Sequence, residues 1–282
     1  MRRVTDPPRV SDRQQGFTLV EMIISIVITG IVVSMIALFG RNQIGAYLDA
    51  GNRAELADAA DTAVRRIARD LQGALPNSVR VSAAGDFLEF VPIRDAGRYR
   101  AELTGAGGGD PLDFSNGADN TFDVLGPGVT VNAGDQLVIY NLGLLGSDVY
   151  AGSSRKALSV VGAGLTTLSF TMGGAQFQFA SPQNRFQIVG APVTYECAAN
   201  AATPQAGTVI RHGAYGFQPA VASTPWALGG AASVLITDVS ACRFDYTPAV
   251  LQRNGLAVLR LTLARNGESV EILHQVDVLN TP

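Results

Sequence analysis

The sequence predicts an α+β protein in which one long amino-terminal α-helix packs on an antiparallel, β-rich head. Three observations predict it: an uncharged apolar run from Met22 to Gly40, an amphipathic stretch of helical period after it, and β-branched or aromatic runs separated by turn residues from residue 78 onward. One long helix followed by roughly ten short strands is typical of this class. We therefore expect a helix over residues 17–76 and a head over residues 77–282.

The apolar run is long enough to cross a membrane. Its 19 residues would rise about 28 Å as a helix, close to the roughly 30 Å hydrocarbon core of a bilayer. Four arginines precede the run and Arg41 alone follows it closely, so the amino terminus should stay cytoplasmic and the head should be exported. An ordinary signal peptide has a shorter apolar region and an A-x-A-like cleavage site; neither is present, and an uncleaved membrane anchor is the second alternative.

The second half of the predicted helix is amphipathic. Apolar residues recur there at steps of three and four: Leu56, Ala60, Val64, Ile67, Leu71 and Leu75. Charged residues lie mostly off this stripe, with Asp61–Arg65 and Arg66–Asp70 at ion-pair spacing. Pro76 should end the helix. Four glycines are candidate bends or local melts of the helix: Gly30, Gly40, Gly45 and Gly51.

The rest of the chain has the pattern of short strands. The predicted strands are Val79–Ser82, Phe87–Pro92, Gln136–Tyr140, Thr166–Thr171, Gln176–Phe179, Arg185–Val189, Pro192–Glu196, Ser233–Thr237, Ala241–Thr247, Leu256–Ala264 and Ser269–Val278. The last two are joined by Arg265-Asn266-Gly267-Glu268, and Asn-Gly predicts a tight hairpin turn. Residues 104–120 and 198–207 are predicted loops.

Charge and cysteine content narrow the functional classes. The chain has 21 basic and 24 acidic residues, and without residues 1–16 it has 17 and 22, which argues against nucleic acid as a partner for the whole surface. Cys197 and Cys242 are the two cysteines, and in an oxidising compartment they should form one disulfide. Two unconnected core cysteines are the alternative. Two cysteines without clustered histidines make only half a zinc site.

The most informative stretch is Gly16-Phe17-Thr18-Leu19-Val20-Glu21, which opens the apolar run. The window GFTLVEMIISIVI resembles the class III signal of type IV prepilins and type II secretion pseudopilins. The resemblance implies that a prepilin peptidase cuts between Gly16 and Phe17 and methylates the new Phe17 amine. Residues 1–16 would then be a cleaved cytoplasmic leader, and the transmembrane segment would cover about residues 17–40 of the mature helix.

Glu21 places a carboxylate at the start of the uncharged apolar run from Met22 to Gly40. A carboxylate costs about 2.5–3.5 kcal/mol at the centre of a membrane helix, so it needs a partner or a task. The family resemblance implies that Glu21 of an incoming subunit meets the Phe17 amine of a neighbour and sets axial register. The alternative is that Glu21 interacts only with the dipole of its own helix.

Four segments later in the chain make the resemblance more specific. The segments Gly97–Arg100, Gly134–Gly143, Tyr195–Cys197 and Gln275–Pro282 resemble the large minor pilins of mannose-sensitive haemagglutinin (MSHA) pili. This resemblance implies a minor pilin acting in pilus biogenesis, adhesion or motility. Its partners would be prepilin peptidase, the major pilin, other minor pilins and the inner-membrane assembly platform, with the inner membrane as its location before assembly. A minor pseudopilin of type II secretion and a tip adhesin or DNA-binding pilin are the alternatives.

The residues provide no set for catalysis. The two histidines, His212 and His274, are far apart in sequence and fit no metal-ligand spacing; His212 is expected at a turn and His274 in a strand. A membrane-anchored enzyme is therefore not expected, and no cofactor is predicted. An acidic loop could offer oxygen ligands to calcium through Asp110, Asp113, Asp119 and Asp123, but it lacks EF-hand spacing, and a solvated loop is the simpler interpretation.

Overall fold

The computed structural model describes residues 16–223, 227–248 and 254–280, and it confirms the α+β class. The chain divides into two units, Met1–Gly51 and Asn52–Pro282. One helix, α1, spans Leu19–Gln72. Most of the predicted leader, residues 1–15, lies outside the described residues.

In the first unit, the side chains of residues 16–39 are all exposed. Fifteen large apolar side chains of α1 in this range keep about half or more of their surface accessible, among them Leu19, Ile26 and Phe39. Burying an apolar side chain of this size contributes about 1.5–3 kcal/mol. This part of the helix therefore needs an apolar environment that the described residues of its own chain do not provide.

In the second unit, the predicted stripe of α1 is confirmed as core. Leu56, Ala60, Val64, Ile67 and Leu71 are at most 2% exposed. The helix ends at Gln72, earlier than the predicted stop before Pro76. The N–H groups of Gly73 and Ala74 bond to carbonyls three residues back, which tightens the last turn.

The glycines and the ion pairs of the helix can also be compared with the sequence prediction. The four glycines lie inside α1 without a break in its helical assignment, so local melts at these positions are wrong. Both predicted ion pairs are present: Arg65 Nε lies 2.6 Å from Asp61 Oδ2, and Arg66 Nε lies 3.4 Å from Asp70 Oδ1. An exposed pair such as Arg65–Asp61 contributes only a few tenths of a kcal/mol.

The described part of the head contains sixteen strands. They are β1 (Arg80–Val81), β2 (Phe87–Phe90), β3 (Ile93–Tyr99), β4 (Thr121–Leu125), β5 (Val129–Val131), β6 (Gln136–Val138), β7 (Arg155–Ala157), β8 (Gly162–Leu165), β9 (Thr167–Ser169), β10 (Arg185–Val189), β11 (Val193–Ala198), β12 (Thr208–Gly213), β13 (Ala231–Thr237), β14 (Val239–Thr247), β15 (Gly255–Arg265) and β16 (Glu268–Val278). Every pair of neighbouring strands is antiparallel, as the sequence predicts.

The strands form four sheets. A five-stranded sheet has the order β1-β2-β11-β12-β13, a six-stranded sheet has the order β7-β6-β10-β3-β4-β9, and β14-β15-β16 and β5-β8 form smaller sheets. The hairpin of β15 and β16 is confirmed, with Arg265 paired to Glu268. Asn266 and Gly267 both have positive φ, 53° and 85°, as a type I′ turn requires.

Two main cores support these sheets. The first packs the buried stripe of α1 against the five-stranded and three-stranded sheets, with Tyr195, Leu259 and Val276 among its members. The second lies on the six-stranded sheet and is rich in aromatic rings, including Phe122 and Phe186, whose ring centres are 5.4 Å apart. The helix therefore stabilises one part of the head directly, and the other part has a core of its own.

Several strand predictions need correction. Residues 176–179 form no strand, whereas β3, β4, β5, β7, β8 and β12 were not predicted. Residues 104–120 form a loop, as predicted, and the second predicted loop contains a 3₁₀ turn at Pro204–Ala206.

Candidate processing and assembly site

The Gly16–Phe17 peptide bond lies before the helix, in an open segment. Both residues are exposed and have no helical assignment, and α1 begins at Leu19. A Cβ atom added to Gly16 would have no atom within 4 Å. Because the described fold leaves room for a side chain here, the local packing does not itself require a glycine at this position.

Thr18 caps the amino terminus of the helix. Its Oγ1 accepts a hydrogen bond of 3.3 Å from the backbone N–H of Glu21, and its carbonyl accepts one of 3.1 Å from the N–H of Met22. Threonine three residues before glutamate is the pattern of a capping box. The sequence interpretation did not single out Thr18, although this spacing was available as a signal.

The carboxylate of Glu21 makes no hydrogen bond or ion pair with any residue that the structure describes, whereas the hydroxyls of two serines in the apolar segment are hydrogen-bonded. Ser25 donates from its hydroxyl to the carbonyl of Glu21 at 2.7 Å, and Ser34 donates to the carbonyl of Gly30 at 2.8 Å. Such bonds to the preceding turn satisfy a hydroxyl inside its own helix. The Glu21 carboxylate, in the first turn of α1, has the helix dipole as a weak favourable interaction.

One segment of the described residues, Leu19–Phe39, is long and apolar enough to cross a membrane. None of it is buried against the residues that the structure describes. The exposed apolar surface, the Glu21 carboxylate and the open segment at Gly16 and Phe17 thus occur together at one end of the helix.

The two predicted disulfide partners are brought together. Cys197 in β11 and Cys242 in β14 have Cα atoms 5.8 Å apart, and the structure joins them as a disulfide. Because β11 belongs to the five-stranded sheet and β14 to the three-stranded sheet, this bond links two sheets. Both side chains pack against the core that includes the helix.

The acidic loop uses its carboxylates internally. Asp123 Oδ2 accepts from the N–H of Asp110 at 3.0 Å and from Arg100 Nε at 3.2 Å. The hydrogen bond from Asp110 is the main cause that lowers the pKa of Asp123. Asp113 accepts from Ser115, and its pKa is lowered mainly by the Ser115 hydroxyl.

No three His, Cys, Asp or Glu residues in the described ranges meet as a metal site. Within the described residues, carboxylates of this loop bond to a backbone N–H group, a serine hydroxyl and Arg100.

The histidines take structural positions. His212 lies in β12, not at a turn as expected, and is 4% exposed. Its Nε2 is 2.7 Å from Glu196 Oε2 on the neighbouring strand. His274 lies in β16, as predicted.

Comparison with known proteins adds one match. The family model described as "Prokaryotic N-terminal methylation motif" matches residues 11–37. No curated protein and no solved structure matches the chain. The matched residues include Gly16, Phe17, Glu21 and most of the exposed apolar helix. The amino-terminal segment of this chain is therefore that of a type IV pilin-like protein.

Proposed function

We propose that this chain is a minor pilin of a type IV pilus of the MSHA kind, similar to MshO, and that it acts in pilus biogenesis, adhesion or motility. A prepilin peptidase cuts between Gly16 and Phe17 and methylates the Phe17 amine. The protein waits in the inner membrane with its head in the periplasm. The assembly platform then inserts it among major and other minor pilins, and it reaches the cell surface in the pilus.

The observation that carries this proposal is the Glu21 carboxylate without a partner in the described residues, on an apolar helix that nothing in its own described residues covers. Two features of the isolated chain are unfavourable: the apolar helix surface is exposed, and the Glu21 carboxylate has no partner among the described residues. A bundle of like helices relieves both. The exposed apolar side chains pack on neighbouring subunits, and the carboxylate pairs with the methylated amine of the adjacent chain.

The size of the head supports a minor over a major subunit. Residues 52–282 contain four sheets and two main cores. A body of this size is difficult to repeat at every position of a closely packed shaft. The later sequence blocks that resemble MSHA minor pilins run through this head. Tip location follows as the arrangement in which a large head meets the fewest steric conflicts.

Immunogold labelling of sheared filaments tests the proposal. Sparse label on pili, and loss of piliation on deletion of the gene with restoration by the intact gene, are expected. A type II secretion pseudopilin shares the leader and helix, so secreted protein levels are measured in the same strains. Normal piliation with impaired secretion would overturn the pilus assignment in favour of the pseudopilin.

A further inference from the structure

We infer that a cleft of the head beside β7 binds an acidic saccharide, a short chain of uronate sugars whose carboxylates meet Arg155 and Lys156. The cleft lies within the second unit, Asn52–Pro282. Binding there does not depend on the proposed pilus role, since the chain would bind the saccharide whether or not it enters a filament.

The cleft runs along one edge of the six-stranded sheet. β7 is the outermost strand on that side, and residues 151–153 and much of residues 171–178 form further walls. The cleft has a volume of about 770 Å³, and sites for small organic molecules usually measure about 300–1,000 Å³. The space therefore admits an organic ligand and not only a single ion.

The charged side chains that line the cleft are both cationic. Among the described residues, its walls include Arg155 and Lys156 but no aspartate or glutamate. Lys156 is only 9% exposed. Burial is the cause that lowers the pKa of each cation, with no opposing contribution from a described carboxylate. Because a buried charge without a counter-charge is costly, an acidic group in the cleft would stabilise both cations.

Carboxylates in the adjoining segments have other partners, and none of them lines the cleft. Asp148 accepts through Oδ1 from two backbone N–H groups of its own turn. Asp135 pairs with Arg94 at 3.3 Å, and Asp113 accepts from Ser115 at 2.6 Å. The positive charge of the cleft is therefore not cancelled by a carboxylate in its described walls.

Both cations retain donors for a ligand. A lysine ammonium has three N–H donors, and Lys156 uses two of them on the carbonyls of Met172 and Ala175, at 2.9 and 2.6 Å. Arg155 donates from Nε to the carbonyl of Val149 at 2.7 Å, and its two amino groups make no hydrogen bond with the described residues. A guanidinium can bind a carboxylate through two parallel hydrogen bonds.

Strand geometry separates the two cations. Successive side chains of a strand point to opposite faces, so Arg155 and Lys156 approach the cleft from the two sides of an edge strand. A ligand that meets both therefore carries more than one acidic group along an extended body. A chain of uronate sugars has one carboxylate on each ring and satisfies this requirement.

The other walls favour a saccharide over a nucleic acid or a peptide. The amides of Gln136 and Gln178 line the cleft and can exchange hydrogen bonds with sugar hydroxyls. The ring of Phe177 is only 2% exposed, so it offers no face on which a base could stack. The carbonyl of Ala157 in β7 already accepts from the N–H of Thr171, which closes this part of the strand edge to a peptide.

Binding of trigalacturonate to the full chain in non-ionic detergent micelles tests the proposal. The sugar carries a fluorophore at its reducing end, and binding is followed by fluorescence anisotropy. We expect saturable binding that is at least about tenfold weaker for the methyl ester, which keeps the rings and removes the charge. Absence of saturable binding, or equal binding of the ester, would overturn the proposal. Tighter binding of labelled triglutamate or trithymidylate would assign the cleft to a peptide or a nucleic acid and would also overturn it.

Matched variants locate the site. Ala151 lines the cleft and is exposed, so its replacement leaves the bonds of both cations in place. Ala151→Glu adds a carboxylate and should weaken binding at least about tenfold, whereas Ala151→Gln, of similar size and without charge, should bind like the wild type. Arg155→Gln should also weaken binding at least about tenfold, and Arg98→Gln, which changes an exposed arginine of β3, should not. Equal affinities of the two Ala151 variants, or unchanged binding by Arg155→Gln, would overturn the proposal.

Discussion

The hydroxyl of Tyr195 donates a 2.8 Å hydrogen bond to Oδ2 of Asp70, and this contact joins the central strand of the five-stranded sheet to the last turns of α1. Tyr195 is fully buried. The same oxygen of Asp70 accepts from Arg211 Nε at 3.2 Å. One carboxylate on the helix thus receives donors from two adjacent strands.

The first prediction concerns the stability of this joint. Tyr195→Phe should lower the free energy of unfolding by about 1 kcal/mol, the contribution of one hydrogen bond. The loss should be no larger, because Asp70 still pairs with Arg66 and Arg211. Urea unfolding of the full chain in detergent measures it. The control is Tyr47→Phe, whose ring is 80% exposed and which should change stability by less than about 0.5 kcal/mol. Equal effects of the two variants would contradict a role for the Asp70 bond.

The second prediction concerns alkaline pH. Burial is the main cause that raises the pKa of Tyr150, Tyr195 and Tyr215 above the ordinary value of 10.0. Above that value the unfolded chain loses these protons before the folded chain does, so stability falls as the pH rises. The stabilisation is fully present below pH 10 and is lost as the pH rises further.

Unfolding curves from pH 8 to 12, with tyrosinate absorbance recorded in parallel, check this prediction. Tyr195→Phe should make the loss of stability above pH 10 shallower, because one of the three groups no longer takes part. A stability that stays constant while tyrosinate absorbance rises would contradict it.

The structure could be predicted from the sequence where a single local rule determines the conformation. The Asn266-Gly267 turn was predictable because both residues must adopt positive φ, and the stripe from Leu56 to Leu71 was predictable from its period. β3 was missed because it carries Gly97 among charged residues. That glycine is explained only by packing, since a Cβ there would lie 2.7 Å from the ring of Phe186.

Long-range contacts account for the other differences. Residues 176–179 have a strand-like pattern, but Lys156 Nζ donates to the carbonyls of Met172 and Ala175 and fixes the adjoining segment as a loop. At the amino terminus, Glu21 stood out in sequence because a charge beside an apolar run is costly, and Gly16 stood out through the resemblance to the prepilin signal. The partner of Glu21 is proposed to lie in another subunit, so no single chain can contain it.

The third prediction concerns the disulfide of Cys197 and Cys242, which closes a separation of 45 residues. Replacing both by serine should lower the free energy of unfolding by about 2–4 kcal/mol, chiefly through the greater freedom of the unfolded chain. Peptide mapping of exported protein without reductant should recover the linked pair. Free thiols on both cysteines after export would contradict the pairing.

The fourth prediction concerns processing. Protein from cells with a native prepilin peptidase should have the mass of residues 17–282 plus one methyl group. Gly16→Val should block cleavage, because it replaces the glycine after which the peptidase is proposed to cut. It should leave membrane insertion intact, because the described fold has open space at this position. Intact mass spectrometry measures both. A wild-type mass equal to the full chain, or to cleavage after Ala37, would contradict the assignment.

The last prediction concerns Glu21. Glu21→Ala should leave cleavage and insertion unchanged but lower recovery in sheared filaments, because the Phe17 amine of a neighbour would lose its charged partner in an apolar medium. Glu21→Gln should have the same effect, since it keeps the size of the side chain and removes only the charge. The capping bond uses the backbone N–H of Glu21, so both variants retain it. Thr18→Val is the control for the cap and should be recovered near the wild-type level. If the Ala variant is processed and incorporated as well as wild type, Glu21 does not set register, and its interaction with its own helix dipole is sufficient.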